Sequence, residues 1–361
     1  MSRKRPSSAL PRVHLLGHAN PSAKDFSRLG VRSAAGLIER IRNALPGAYR
    51  LTADPRILEA PENQQRGGRR DDRARVRDMH DALRDPWTVA IIALNGGAYF
   101  SRILPDIDLS PLDRRKRPLL ATGFSEMTGW VNLVARRRYG RGVYWLCPNY
   151  LGWKVKPAAA AHAAYDEFWR RMPEWLERFA AARGSMSGAA IASRTDSRIA
   201  EARAAGASRG ADAIGSEPLR GTLVQGTARS AVVRLAGGCL SVLTTCIGGP
   251  IGRSVDPRGR WLLLEDVNEA PYRVDRMLAS MRIAGWFERV AGVLIGDFHT
   301  TEEPDQRRAV LEMLRFHLNP ARDTPVVLTR SFGHVWPMTP LALNRPQRLE
   351  VRGRRVTLAP L

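Results

Sequence analysis

The sequence is short of lysine, of cysteine and of long apolar runs. Five of its 57 cationic residues are lysine (Lys4, Lys24, Lys116, Lys154 and Lys156) and the other 52 are arginine. The net charge of +22 therefore reflects a skewed composition more than a phosphate-binding face. The basic runs Arg114-Arg115-Lys116-Arg117 and Arg136-Arg137-Arg138 are scattered between elements, and no nucleic-acid fingerprint accompanies them. Weak attraction to polyanions at low salt is expected, a dedicated nucleic-acid partner is not. Cys147, Cys239 and Cys246 form no CxxC pair and no even-numbered framework, which fits a reducing compartment. No run of about 18 apolar residues occurs, so no membrane partner is expected. Arg3, Lys4 and Arg5 resemble the start of a signal peptide, but Pro6, Ser7, Ser8 and Pro11 interrupt any apolar h-region. The expected location is cytoplasmic. G-x-S-x-G, HExxH, Walker and GxGxxG signatures are all missing, and Asp106, Asp108 and Asp113 fit no familiar ligand spacing. Neither a metal nor an organic cofactor is expected.

What is present is a chain of 361 residues, 44% hydrophobic, long enough for two domains. Residues 1–11 read as a disordered basic tail. Residues 12–150 read as an α/β domain: a strand at Val13–Leu16, a helix over roughly Asp25 to Leu45, then a polar loop from Glu62 to Arg75 entering another helix. Next comes the apolar run Trp87–Leu94, the mark of a buried parallel strand. Residues 151–220 read as a connector, Trp-rich at first and then mostly Ala, Gly, Ser and Arg. Residues 221–361 read as a mixed α+β domain, with strands at Gly221–Gln225, Ala231–Leu235, Trp261–Leu264, Val290–Ile295 and Pro325–Leu328 and a terminal hairpin turning at Arg352-Gly353. In the first domain, alternating strands and helices argue for a parallel sheet of flavodoxin- or amidotransferase-like type, with ligands at the carboxyl ends of its strands.

Two strands deliver chemistry to that edge. Leu119–Thr122 leads into Gly123-Phe124-Ser125-Glu126-Met127-Thr128, and Met127, Trp130, Val131 and Val134 follow at helical spacing. Ser125 thus stands at a strand-to-helix turn, either as a helix cap or as a nucleophile. Gly96-Gly97 ends the preceding strand, either as a tight turn or as a close backbone approach to a ligand. A serine nucleophile needs a base, and that base needs a carboxylate. Of seven histidines, His14, His80, His162 and His317 fall inside apparent elements, whereas His18, His299 and His334 lie in loops near strand ends. Glu265 directly follows Trp261–Leu264, with Asp266 and Glu269 as competitors.

With these residues in view, the chain resembles the LD-carboxypeptidase family of serine peptidases (murein tetrapeptide carboxypeptidases), of which the microcin C immunity peptidases are a second branch. The similarity covers most of residues 12–361 as an ordered series of modest motifs. Pro21-Ser22 resembles the opening loop, and Asp71-Asp72-Arg73-Ala74 with Asp85-Pro86 the segment before the glycine pair. Gly96-Gly97 with Ser101–Asp108 resembles GGxxSxRLLPxLD, Gly123–Thr128 resembles GFSDIT, and Gly237-Gly238-Cys239-Leu240 resembles GGNL or GGCL. Glu265–Arg276 resembles the segment with the acidic triad member, and Gly333-His334 the closing segment. The resemblance implies a triad of Ser125, His334 and Glu265, an oxyanion hole from the N–H groups of Gly97 and Glu126, a small murein-peptide substrate and a homodimer. It departs from the pattern on the substrate side, with Asn95 before the glycine pair, Ala98-Tyr99 after it, and Leu146-Cys147-Pro148. Asn95, Gly96, Tyr99 and Cys239 are the expected substrate contacts. A peptidyl-nucleotide amide hydrolase is the rival reading, because Asn95, Cys239 and the tryptophans at 145, 153, 169 and 175 lean towards it. A catalytically idle polyanion-binding protein is the third.

Overall fold

A computed structural model describes residues 10–19, 22–60, 69–180 and 218–360. The first sheet holds β1 (Arg12–Leu16), β2 (Arg50–Thr52), β3 (Thr88–Ala93), β4 (Leu119–Gly123) and β5 (Gly140–Tyr144) in the order β2-β1-β3-β4-β5, all parallel. This is the doubly wound order of flavodoxin-like folds. Strands covered on both faces carry continuous apolar runs, and Ala90–Ala93 is buried without a break. The helix Thr128–Ala135 lies so close on β5 that a Cβ at Gly140 or Gly142 would collide with the carbonyl of Val134 or Val131.

The second sheet has eight strands: β6 (Leu219–Gln225), β7 (Ala231–Val233), β8 (Leu235–Cys239), β9 (Trp261–Val267), β10 (Gly292–His299), β11 (Val326–Thr329), β13 (Gln347–Arg352) and β14 (Arg355–Pro360). Their order is β7-β13-β14-β6-β11-β10-β9-β8, with β8 to β11 parallel and the rest antiparallel. The remaining strand, β12 (Leu341–Ala342), pairs antiparallel with β5 of the first sheet. The two halves therefore share a sheet edge, which no periodicity in the sequence announces.

Other expectations shift in instructive ways. The single helix expected over Asp25 to Leu45 is two 3-10 turns, Ser22–Asp25 and Ser27–Leu29, followed by a helix at Ala34–Ala44. Gly30 breaks the run with a left-handed φ of 68°, and Ser33 restarts it by accepting from the Gly36 N–H at 3.1 Å. The aromatic part of the expected connector forms helices Leu151–Lys154, Ala158–Arg170 and Met172–Ala180. Trp145 ends against Trp175 and Phe168, with ring centroids 4.8 and 5.0 Å away. The Ala/Gly/Ser/Arg stretch, from residue 181 to 217, and residues 1–9 of the basic tail lie outside the described residues. Among the described residues no helix is long and apolar enough to cross a membrane.

Candidate active site

At the carboxyl end of β4, Phe124 is extended and Ser125 turns to a φ of 57°, a left-handed conformation uncommon for a side chain with a Cβ. The cap reading of Ser125 fails here. Ser125 opens the 3-10 turn Ser125–Met127, Met127 precedes the helix Thr128–Ala135, and neither turn nor helix has a side-chain cap. Instead Thr128 Oγ1 donates to the Ser125 carbonyl at 2.7 Å. Of the first N–H groups in the turn, that of Ser125 donates to Tyr144 Oη at 3.3 Å and that of Met127 to the Phe124 carbonyl at 3.1 Å. The N–H between them is that of Glu126, at a helix start where such donors lack an intrahelical partner. The glycine pair is adjacent: a Cβ on Gly96 would stand 2.9 Å from Ser125 Cβ. Gly97 follows with a φ of 133°.

The second half supplies the titratable groups. Glu265 was expected at a strand end, but β9 runs on to Val267, so Glu265 lies inside it and is fully buried. Its Oε2 is 2.8 Å from His334 Nδ1. Its Oε1 accepts a short hydrogen bond from the Tyr144 hydroxyl. Tyr144 thus receives the Ser125 N–H and gives its own proton to Glu265, so one chain of hydrogen bonds runs from the serine's backbone to the histidine. Burial, and then the Glu265 charge, hold the Tyr144 pKa well above its ordinary value, which keeps that proton in place. Burial pulls the His334 imidazole down. The Glu265 charge and hydrogen bond, with the charges of Asp266 and Asp297, more than reverse this, and its pKa rises. Phe124, the residue before Ser125, packs against the His334 ring with centroids 4.8 Å apart, and the Tyr150 hydroxyl donates to the His334 carbonyl at 3.1 Å. Ser125 Oγ and His334 Nε2 make no hydrogen bond in this structure, and such contacts commonly tighten only with substrate.

The competing residues sort themselves. Asp266, its pKa pushed up to about 6 by burial and then by Glu265, accepts the Ser241 and Val267 N–H groups at 2.7 and 2.9 Å. Glu269 lies 3.7 Å from Arg273. His18 is buried, with Nε2 3.0 Å from the Arg75 carbonyl, and desolvation lowers its pKa to about 3. His299 is closer to the site. Its Nδ1 is 2.8 Å from Asp297, whose N–H donates to the Phe332 carbonyl two residues before His334. Burial raises the thiol pKa of Cys147 to about 12, of Cys246 to about 11 and of Cys239 well above its ordinary value, so no thiolate competes with Ser125.

Among the expected substrate contacts, Tyr99 is exposed (37%), with the Arg102 guanidinium 5.1 Å from its ring. Asn95 is buried and hydrogen-bonds Asp25, and Cys239 is buried with Sγ 3.3 Å from Ser241 Oγ. Trp145, Trp169 and Trp175 belong to the core, which leaves Trp153 (43% exposed) under the Arg28 guanidinium, 3.5 Å from its ring centroid. Tyr144 was missed in the sequence. Its signal was register, since it pairs with Gly123 at the end of the strand that delivers Ser125.

Comparison with known proteins addresses the family and the fold. Residues 29–144 match the LD-carboxypeptidase N-terminal domain and residues 233–349 the LD-carboxypeptidase C-terminal domain. A Bacillus subtilis protein named as a probable murein peptide carboxypeptidase is 45% identical over 65 residues, which is 18% of this chain and 20% of that protein. A carboxypeptidase-named protein of Streptomyces coelicolor is 35% identical over 38% of this chain and 41% of its own length. The matched stretch thus spans well under two thirds of these relatives. Among solved structures, the microcin C7 self immunity protein MccF in its wild-type apo state superposes with a TM-score of 0.64 at 14% identity, over 98% of this chain and 97% of that one. A muramoyltetrapeptide carboxypeptidase from Oxalobacter formigenes gives 0.56 at 20% identity, over 96% and 97%. At such identities these structures speak for the fold. With both domain profiles matched in order across more than half of the sequence, the chain belongs to the LD-carboxypeptidase family.

Proposed function

We propose that this protein is a serine carboxypeptidase that hydrolyses an L,D-peptide bond, releasing a terminal D-Ala from a cytoplasmic murein tetrapeptide. The observation that carries the reading is the Glu265 carboxylate, buried and bonded on one oxygen to His334 and on the other, through Tyr144, to the backbone of Ser125. In this mechanism His334 takes the Ser125 proton, and Oγ attacks the scissile carbonyl. The tetrahedral oxyanion is held by the N–H groups of Gly97 and Glu126, each donor worth roughly 10²–10³ in rate. His334 then protonates the leaving amine, and water activated by the same imidazole hydrolyses the acyl-enzyme. A histidine whose pKa is raised by its carboxylates suits a base that must also serve as an acid near neutral pH. A homodimer is the expected assembly, to be read by light scattering of the purified chain.

The rival substrate is a peptidyl-nucleotide amide; of the residues that favoured it, Asn95, Cys239, Trp145, Trp169 and Trp175 are buried and Trp153 is exposed. Incubation with murein tetrapeptide beside a nucleotidyl-peptide amide, read by mass, separates the two. D-Ala release from the tetrapeptide is the expected result, and it should vanish in Ser125→Ala and in His334→Ala with the fold intact. Full activity in either variant would overturn the mechanism.

A further inference from the structure

Beside β5, along the residues Arg141 to Val143 that precede Tyr144, a cavity opens where the two halves meet. It is lined by Arg141 on β5, Arg178 and Phe179 at the end of the helix Met172–Ala180, Ala342 on β12, and Arg345 and Gln347 beyond it. Three guanidinium groups from three separate elements thus border one small space. Arg141 is buried (6% exposed), and Arg345 and Arg178 are partly so.

Two of these arginines converge on a single acceptor. Arg141 Nη1 and Arg345 Nη2 both donate to the Gly140 carbonyl, each at 2.9 Å. Arg141 Nη1 also reaches the Arg138 carbonyl at 3.3 Å. The Nε of each is buried without a hydrogen-bond acceptor. Among the described residues no carboxylate forms an ion pair with Arg141 or Arg345. Among the described residues the charges that act on them are cationic: Arg345 on Arg141, and Arg234 on Arg345. Burial, and then that repulsion, pushes the Arg141 pKa down to about 10, so it is still a cation at neutral pH, and burial followed by Arg234 lowers that of Arg345. Like charges desolvated side by side are costly, and an anion between them removes the cost.

We propose that this cavity is a binding site for a phosphate-type oxyanion, held by Arg141 and Arg345 with Arg178 at its rim. The chemistry of the lining decides the class of ligand. Guanidinium forks offer paired donors matched to phosphate or sulfate oxygens, and among the described residues no carboxylate lines the cavity to favour a cation. The cavity volume is about 20 Å³, enough for one small ion and too little for a nucleoside. A larger molecule would have to present its phosphate and keep the remainder in solvent. The site is separate from the catalytic groups and does not depend on the peptidase reading. Ion occupancy would brace β5, the strand whose last residue is Tyr144, against β12 of the other half.

The test is titration of the purified protein with inorganic phosphate, read by calorimetry and by thermal melting against sodium chloride of equal ionic strength. A saturable, one-to-one binding isotherm is expected, with a rise in Tm beyond that of chloride. Arg141→Gln combined with Arg345→Gln should weaken the binding at least tenfold, whereas Arg352→Gln at the exposed hairpin turn should leave it unchanged. In chloride alone the double variant should melt no lower than the parent, because it removes two like charges, one buried and one half-buried, with which no carboxylate among the described residues pairs. If that variant fails to fold, Arg178→Gln reads the same site with a several-fold loss of affinity. Glycerol 3-phosphate in parallel distinguishes the source: tighter binding than inorganic phosphate assigns a carried phosphate, weaker binding the free ion. A non-saturable response shared with chloride, or phosphate binding undiminished in the arginine variants, would overturn the proposal and leave only the general attraction of a cationic surface.

Discussion

Ser125 occupies a left-handed backbone conformation that a Cβ disfavours by about 1–2 kcal/mol, and this bears on stability as well as on chemistry. Removing the hydroxyl alone keeps that strain, whereas removing the Cβ relieves it. Ser125→Gly should therefore be more stable than Ser125→Ala by about 1 kcal/mol, with both inactive. Urea unfolding of the two variants side by side measures the difference. Equal stability would mean that the turn relaxes freely and is not held by its surroundings. The surroundings named above are what hold it: the Tyr144 hydroxyl on the Ser125 N–H and Thr128 Oγ1 on its carbonyl. The sequence made Ser125 conspicuous because strand and helix periodicities change over at it. It could not make Tyr144 conspicuous. That residue matters through a cross-strand register and a carboxylate 121 positions away, neither of which leaves a local pattern.

The helix Arg69–Arg84 shows how one element can set the acid sensitivity of the fold. Its fully buried Arg75 donates to the carbonyls of His18 and Tyr99 at 2.8 and 3.1 Å, and its Nε lies 3.1 Å from Asp71. The helix thereby joins the loop after β1 to the loop after the glycine pair. His18 sits beneath it, with Nε2 3.0 Å from the Arg75 carbonyl and 3.3 Å from Asp78. Burial drops its pKa from 6.5 to about 3 despite Asp78. The unfolded chain thus binds a proton that the folded one refuses between those two values, so stability falls as pH drops through that window. Between pH 7 and pH 5 the loss is about 2 kcal/mol from this residue alone. Urea melts at both pH values should show a fall that shrinks by about that amount in His18→Gln. An unchanged fall would assign the acid lability elsewhere. This arrangement was half legible beforehand. The polar Asp71–Ala74 segment stood out, but nothing in its spacing told a buried arginine from the exposed ones around it. Composition hid it, because 52 arginines make any single one unremarkable.

At the level of the whole molecule, each half closes an open sheet edge of the other. β12, from the second half, pairs with the edge strand β5 of the first sheet. In return the helix after Ser125 covers β8, the edge strand of the second sheet. Asn132 Nδ2 donates to the Gly237 carbonyl at 2.9 Å, Gly237 N–H donates to Asn132 Oδ1 at 3.0 Å, and Cys239 N–H donates to Thr128 Oγ1 at 3.1 Å. The asparagine side chain mimics one residue of a neighbouring strand, which is how an edge is kept from pairing with another molecule. This also explains why Gly237-Gly238-Cys239, two glycines and a cysteine, is a buried strand. A Cβ at Gly238 would stand 2.5 Å from the Tyr144 ring, so the glycine admits the other half. Asn132→Ala strands a buried N–H and a buried carbonyl on Gly237 and should cost about 3 kcal/mol. It should also reduce hydrolysis although it touches no catalytic group, because Gly237 is in register with Leu263, two residues before Glu265. If the halves unfold as one body, the urea curve of the variant keeps its slope and a single transition, displaced to lower concentration. A biphasic curve with only one step displaced would show two bodies that merely touch, and would leave the bridge from Ser125 through Tyr144 to Glu265 without the rigid frame that the proposed chemistry needs.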